Sequence, residues 1–419
     1  MKYKGFTKKQ LLDVYYNMAL SRQLDDKQLI LLKQGKGFFH IGCSGHEAAG
    51  IAAAISFKPG FDFAYPYYRD QAFCLGWGMK SRDHLLSFLA KKDDPNSGGR
   101  QMPQHFGHRE LNIVSQSSVT GTQLLQAVGA GFALQRNGEK AVVYVSIGEG
   151  TTSQGDFHEA LNWASRDNAP VIFHVENNRF AISVPIENQT AGASVYKISA
   201  GYDNLARFNV DGTNFFETHM AFNKAVDRAR KGKGPSLVVS DVVRLLPHSS
   251  SDDQRKYRSK EELESDRKRD PIVLFANTCI EAGIAKENDF KQLLIDVKEQ
   301  VDSDANWAES QPDPSPDDRM KNVFAQANGF IATESNKNSS EKIVLVDAIN
   351  HALDEELAYN DKMLIYGQDV AGGKGGVFTA TRGLSDKHGR DRVFNSPLAE
   401  SSIIGTAVGM ASLGYKPVV

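Results

Sequence analysis

The sequence predicts an α/β protein built on a doubly wound parallel sheet, followed by a partial second α/β domain. Apolar, strand-like runs at 141–147, 170–175 and 236–243 alternate with helical periodicity at 121–135, 157–166 and 215–231. The first two runs end in polar tags, Gly148-Glu149-Gly150 and Glu176-Asn177-Asn178, spaced by roughly thirty residues, the length of one βαβ unit. Near 331–342 the chain turns polar, with Asn336, Asn338, Ser339 and Ser340, and patterned sequence resumes behind it.

Taken in order, residues 7–34 read as one long amphipathic helix or a close pair, with Leu11, Val14, Tyr15, Met18, Leu24 and Leu31 as the buried stripe. The helix at 121–135 leads into the first strand, 157–166 is the crossover to the second, and 215–231 leads into the third. Residues 251–270 are dense in charge, and 309–318 carry Pro312, Pro314 and Pro316 among acids, so both read as surface segments. With 331–342 as a flexible linker, the domains are expected at 1–330 and 343–419.

Length and composition limit the function. A chain of 419 residues is long enough for two or more full cores. The net charge of −2 leaves no electrostatic footprint for nucleic acid or an anionic membrane, and no apolar stretch reaches membrane-spanning length. Cys43, Cys74 and Cys279 are odd in number and lack metal-ligand spacing, which predicts reduced thiols, with Cys43 and Cys74 in the core. The basic start has no signal-like apolar region, so a cytoplasmic protein in a prokaryotic setting is expected.

Either polar tag alone reads as a turn or a loop. Together, at the same edge of a parallel sheet, they offer a carboxylate from Glu149 and an amide oxygen from Asn178 to one hard cation. Magnesium prefers such oxygens and keeps phosphate partners, so the pair predicts a metal-bridged diphosphate.

The strand, Gly-Glu-Gly and Glu-Asn-Asn pattern is the thiamine diphosphate motif. The stretch 148–164 resembles the alpha subunit of the decarboxylating component of 2-oxoacid dehydrogenase complexes. Tyr68-Arg69-Asp70, Gly99-Arg100-Gln101-Met102-Pro103, Ser117-Ser118, the loop 248–253 and Tyr257-Arg258-Ser259 are similar to that family in the same order. The resemblance implies the thiamine diphosphate-binding fold, with magnesium held by Glu149, Asn178 and the backbone carbonyl of Phe180. It also implies cofactor contacts from Tyr68, Arg69, Gly148 and Gly150, with the Arg69 guanidinium gripping diphosphate oxygens. Ser118 and Thr120 fall where the family's loop meets the aminopyrimidine, Thr120 standing where close relatives carry a bulkier apolar residue. Ser117, Thr122 and Gln123 resemble a K+ site of branched-chain relatives and read equally as a helix N-cap with neighbours. His248 is the implied catalytic histidine, facing a substrate carboxylate or an incoming lipoyl group; the adjacent Ser249, at the position phosphorylated in mammalian relatives, is taken as a loop serine.

A second resemblance follows the linker. Residues 343–357, Tyr366-Gly367-Gln368-Asp369-Val370, Gly375-Gly376-Val377-Phe378 and Ser396 to Ser402 are similar to the opening of the same enzyme's beta subunit. The chain is therefore expected to be an alpha-beta fusion whose beta-like, pyrimidine-binding part is incomplete. Glu400 matches the glutamate that hydrogen-bonds a ring nitrogen of the aminopyrimidine and promotes its imino tautomer. Gln368 stands where the family usually has a glutamate and cannot relay a proton by ionising.

Decarboxylating a 2-oxoacid leaves an electron pair that no side chain can delocalise, hence the need for the cofactor. The implied activity is oxidative decarboxylation of a 2-oxoacid, branched-chain by the motifs at 99–103 and 248–253, with acyl transfer to a lipoyl domain of a dihydrolipoyl acyltransferase core. The implied assembly is a homodimer equivalent to two alpha and two beta subunits. The alternatives are a pyruvate or acetoin dehydrogenase component, or a cofactor-binding or assembly chain inactive on its own.

Overall fold

The computed structural model describes residues 2–321, 323–324 and 342–419. All but the last residue of the expected linker, 331–342, lies outside them. The chain divides into two compact units, Met1–Pro314 and Ser315–Val419, with the division ahead of the expected boundary at 330.

After a short antiparallel strand pair, Lys2–Tyr3 with Phe6–Thr7, the first unit runs into one unbroken helix, α1 (Lys8–Lys33). A capping box starts it: the Gln10 N–H donates to Thr7 Oγ1 at 3.3 Å and the Thr7 N–H to Gln10 Oε1 at 2.9 Å. Every residue of the expected stripe, from Leu11 to Leu31, is buried. The stripe joins a core with Phe215, Phe275, Phe290 and Val297, and full burial of side chains this large contributes about 1.5–3 kcal/mol each.

Five parallel strands form the sheet: β1 (Phe63–Tyr65), β2 (Val143–Gly148), β3 (Val171–Asn177), β4 (Ala206–Asp211) and β5 (Ser236–Asp241), in the spatial order β1-β2-β3-β5-β4. Of these, β1 and β4 are additions to the sequence reading. Both are edge strands, the first only three residues long and the second half-exposed, so neither shows the continuous apolar run of a central parallel strand.

Helices cover both faces, as a doubly wound sheet requires. Three matter for the site: α2 (Thr122–Arg136), α3 (Gly155–Arg166) and α4 (Phe215–Arg230). Helix α2 lies so close to β3 that a Cβ on Gly131 would come within 2.9 Å of Val171 Cγ2. On the other face, Phe222 of α4 meets the rings of Tyr144 at 6.4 Å and His174 at 4.9 Å. Val143 and Tyr144 are neighbours in β2 and so point to opposite faces. Asn214 starts α4 by accepting the Phe216 and Glu217 N–H groups at 3.1 and 3.3 Å.

The second unit has a three-stranded parallel sheet of β6 (Met363–Gly367), β7 (Val393–Asn395) and β8 (Lys416–Val418), with β6 in the centre. Helices α5 (Leu345–Tyr359) and α6 (Glu400–Ser412) accompany it, and Leu357, Met363, Ile365, Leu384 and Val393 form its core. Among the described residues, no helix is long and apolar enough to cross a membrane.

Candidate active site

The parallel register pairs Gly148 with Glu176, which sets the residues after β2 and β3 side by side. The Asn178 backbone N–H donates to Glu149 Oε2 at 3.2 Å, and Asn178 Oδ1 accepts from the Phe180 N–H at 3.3 Å. Gly150 is required by close approach, because a Cβ there would come within 2.5 Å of Ala181 Cβ. The facing turn is held in left-handed conformation at Arg179 (φ 71°) and Ile182 (φ 57°), strain of a kind that clusters at ligand sites. Glu149 is buried, its Oε1 has no hydrogen-bond partner, and burial pushes its carboxyl above the usual range. A buried, unpartnered carboxylate oxygen beside a carboxamide is a donor set suited to a hard divalent cation. Among the described residues no cluster of three or more His, Cys, Asp or Glu side chains forms a different metal site.

These residues line a cavity of about 260 Å³ together with Tyr68, Arg69, Thr120, Gly148, Gly150, Phe180 and His248. Buried Arg69 donates to the Gly42 carbonyl at 2.6 Å and directs its other terminal nitrogen at His248 Nδ1, 3.3 Å away. A guanidinium only donates, so Nδ1 is the acceptor and the neutral ring carries its proton on Nε2. Burial, then Arg69 and Arg244, lower the His248 pKa to about 3. The Tyr68 ring meets the His248 ring edge-on at 5.9 Å.

Arg244 was not singled out in the sequence. It lies at the end of the run 236–243, where a cation closing an apolar strand is the available signal. It is 1% exposed, and its Nε and Nη1 lack partners. Its Nη2 donates to the Ile182 carbonyl at 2.9 Å and to Tyr257 Oη at 2.8 Å. Tyr257 in turn donates to Asp252 at 2.5 Å, and Asp252 accepts the His248 N–H at 2.8 Å, which ties the histidine loop to the sheet edge. Two buried guanidiniums, one with unused donors, make the cavity a field for an anion.

Other expected site residues fall elsewhere. Ser118 is exposed and bonds His105 Nε2 at 2.5 Å rather than lining the cavity. The N-cap of α2 is Gly121, in left-handed conformation at φ 94°, so the capping role considered for Ser117 and its neighbours is not taken by a side chain. Gln123 donates to the Ser146 carbonyl at 3.1 Å and leaves a buried Oε1 without a partner. Ser249 is buried against Ser251 Oγ at 3.0 Å. In the second unit, Glu400 is the exposed first residue of α6, where Gln368 Nε2 donates to its Oε1 at 3.1 Å. Arg258, expected within a surface segment, is buried because its guanidinium bonds the Arg244 carbonyl at 3.0 Å and Asp266 at 2.5 Å.

Beneath the cavity runs a buried polar network that sequence periodicity did not reveal: His46, Tyr67, Asp70, Tyr144, Ser146, His174 and Glu176. Tyr67 donates to Glu176 at 2.8 Å, and burial pushes the carboxyls of both Asp70 and Glu176 up. His174 was visible as a polar residue inside the apolar run 170–175. Its nitrogens meet Tyr144 Oη and Ser240 Oγ, each at 2.9 Å, and burial lowers its pKa to about 3. Between that value and about 6.5 the unfolded chain takes up a proton that the fold refuses. The His174 contribution to stability is therefore complete above about pH 6.5 and declines as pH falls toward 3. In urea unfolding, His174→Gln is expected to shrink the stability difference between pH 7 and pH 5 by about 2 kcal/mol. An unchanged difference would show that the ring titrates in the fold as it does in the unfolded chain.

Comparisons with known proteins identify relatives of both parts of the chain. Residues 15–317 match the family described as dehydrogenase E1 component, and residues 341–419 match the transketolase pyrimidine-binding domain. The chain is 38% identical over 322 residues to the 2-oxoisovalerate dehydrogenase subunit alpha of Bacillus subtilis (strain 168), covering 77% of this chain and 97% of that one. It is 32% identical over 321 residues to the pyruvate dehydrogenase E1 component subunit alpha of the same organism, covering 76% and 83%. It is 31% identical over 313 residues to the 3-methyl-2-oxobutanoate dehydrogenase subunit alpha of Mycobacterium tuberculosis (strain CDC 1551 / Oshkosh), covering 75% and 82%.

Proposed function

The chain belongs to the dehydrogenase E1 component family, and from that membership we propose that it decarboxylates a branched-chain 2-oxoacid with thiamine diphosphate and passes the acyl group to a lipoyl domain of a dihydrolipoyl acyltransferase. The observation that carries the reading is the unpartnered, buried carboxylate oxygen of Glu149 in a cavity flanked by two buried arginines.

In this reading Glu149, Asn178 and the Phe180 carbonyl hold magnesium, and Arg69 and Arg244 neutralise the remaining diphosphate charge. The cofactor, when bound, supplies the electron sink that side chains lack. Neutral His248 presents its Nε2–H as a donor for a substrate carboxylate. Glu400 is assigned to the aminopyrimidine, and Gln368, which cannot ionise, orients the Glu400 carboxylate through their 3.1 Å hydrogen bond. The unpartnered Oε1 of Gln123 is what a K+ ion at Ser117, Thr122 and Gln123 would use.

We read the two matched regions as an alpha-beta fusion that dimerises in the manner of two alpha and two beta subunits. The three cysteines are buried and unpaired, which supports a reducing, cytoplasmic setting. The pyruvate-type reading keeps support from the 32% relative. Steady-state decarboxylation with a dye acceptor separates the two. A branched 2-oxoacid is expected to exceed pyruvate by at least about tenfold in kcat/KM, the discrimination available from one or two extra methyl groups. A preference for pyruvate would reassign the substrate. No turnover of either, with cofactor bound, would favour an assembly role.

A further inference from the structure

His46 is almost fully buried at the start of the helix Glu47–Ala54, and its two ring nitrogens meet different partners. Nδ1 contacts Glu176 Oε2, the oxygen that also accepts the Tyr67 hydroxyl at 2.8 Å. Nε2 stands 3.5 Å from Asn178 Nδ2. An amide NH2 group only donates, so Nε2 is the acceptor and Nδ1 carries the proton toward Glu176. The far end of the same carboxamide, Oδ1, accepts the Phe180 N–H at 3.3 Å. The Asn178 amide is thus oriented from both ends.

Orientation matters at this residue because a carboxamide has one end that can ligate a cation and one that cannot. A half-turn about its last bond would replace the oxygen with an N–H group that repels the ion. We infer that His46 is a positioning residue for Asn178: anchored on Glu176, it takes the amide N–H and so keeps the amide oxygen available to magnesium. The inference rests on the reading of Asn178 as a magnesium ligand. Groups behind metal ligands typically govern affinity by about 10–100-fold.

The test is calorimetric titration of thiamine diphosphate into the full chain at stepped magnesium concentrations, with circular dichroism to confirm that each variant is folded. His46→Ala is expected to raise the magnesium requirement about tenfold. His46→Gln, whose amide can both donate to Glu176 and accept from Asn178, should stay within about threefold of the parent. In an Asn178→Asp background either oxygen can face the metal, so adding His46→Ala should cost less than about twofold. An equal loss in both backgrounds would mean that His46 merely fills space, which overturns the inference. So would an unchanged requirement in His46→Ala while Asn178→Ala raises it, an outcome that leaves the metal reading standing. An unchanged requirement in Asn178→Ala would overturn both.

Discussion

Glu149→Ala is expected to lose magnesium-dependent binding of thiamine diphosphate, with affinity falling by at least about 100-fold. The two explanations for Glu149 predict opposite signs. Its carboxylate is buried with one oxygen unpartnered, near two arginines that favour anions. Were it only part of a turn, removing it would subtract a negative charge and an unsatisfied group, so an anionic cofactor would bind equally well or better. As a metal ligand, its removal leaves the diphosphate without its bridging cation. Calorimetry with and without magnesium reads this directly. Thermal unfolding without cofactor should change little, because loss of the hydrogen bond from the Asn178 N–H is offset by removal of a buried carboxylate with one unpartnered oxygen. Loss of binding accompanied by a large drop in unfolding temperature would point to a collapsed turn instead.

Glu400→Ala is expected to have a loss of the opposite kind. Gln368 holds the Glu400 carboxyl below the usual range, so it is ionised at neutral pH. The side chain is exposed and supports no core, so its removal should leave the fold intact. Cofactor affinity should change by less than about threefold, while turnover falls about 10³-fold, within the span of a positioned acid–base group. Exchange of the cofactor's thiazolium C–H with deuterium, followed by NMR, should slow in parallel. Substantial activity with the cofactor bound would refute the role given to Glu400 and weaken the fusion reading with it.

The central strands and the meeting of Glu149 with Asn178 were legible in the sequence because one periodicity reports both. Strands buried on two faces read as apolar runs, and the residues that end them fall at one sheet edge. Residues 7–34 were legible for the same reason, since α1 buries its stripe at helical spacing. The edge strands were not, because Phe63–Tyr65 is too short for a pattern and Ala206–Asp211 is half-exposed. Nor was the network under the cavity. His46, Tyr67 and Asp70 reach Glu176, Tyr144 and Ser146 from distant stretches of chain, and such meetings leave no local trace. Ser118 shows the converse, where a motif singled out a hydroxyl that a histidine thirteen residues away engages.

The register of β2 on β3 has a consequence for how the molecule comes into being. That pairing joins Val143 to Val171 and closes a stretch of roughly thirty residues, whereas β1 joins Phe63 to Val143 across about eighty. Contacts between near neighbours in the chain are reached sooner during folding. Glu149 and Asn178 are therefore expected to meet before Arg69, just beyond β1, is brought to them. The nascent site is first a small acidic cleft and only afterwards a receptor for a polyanion. On the proposed magnesium reading, this cleft alone holds the ion's side-chain ligands, and full affinity for the cofactor awaits the docking of the segment that carries Arg69.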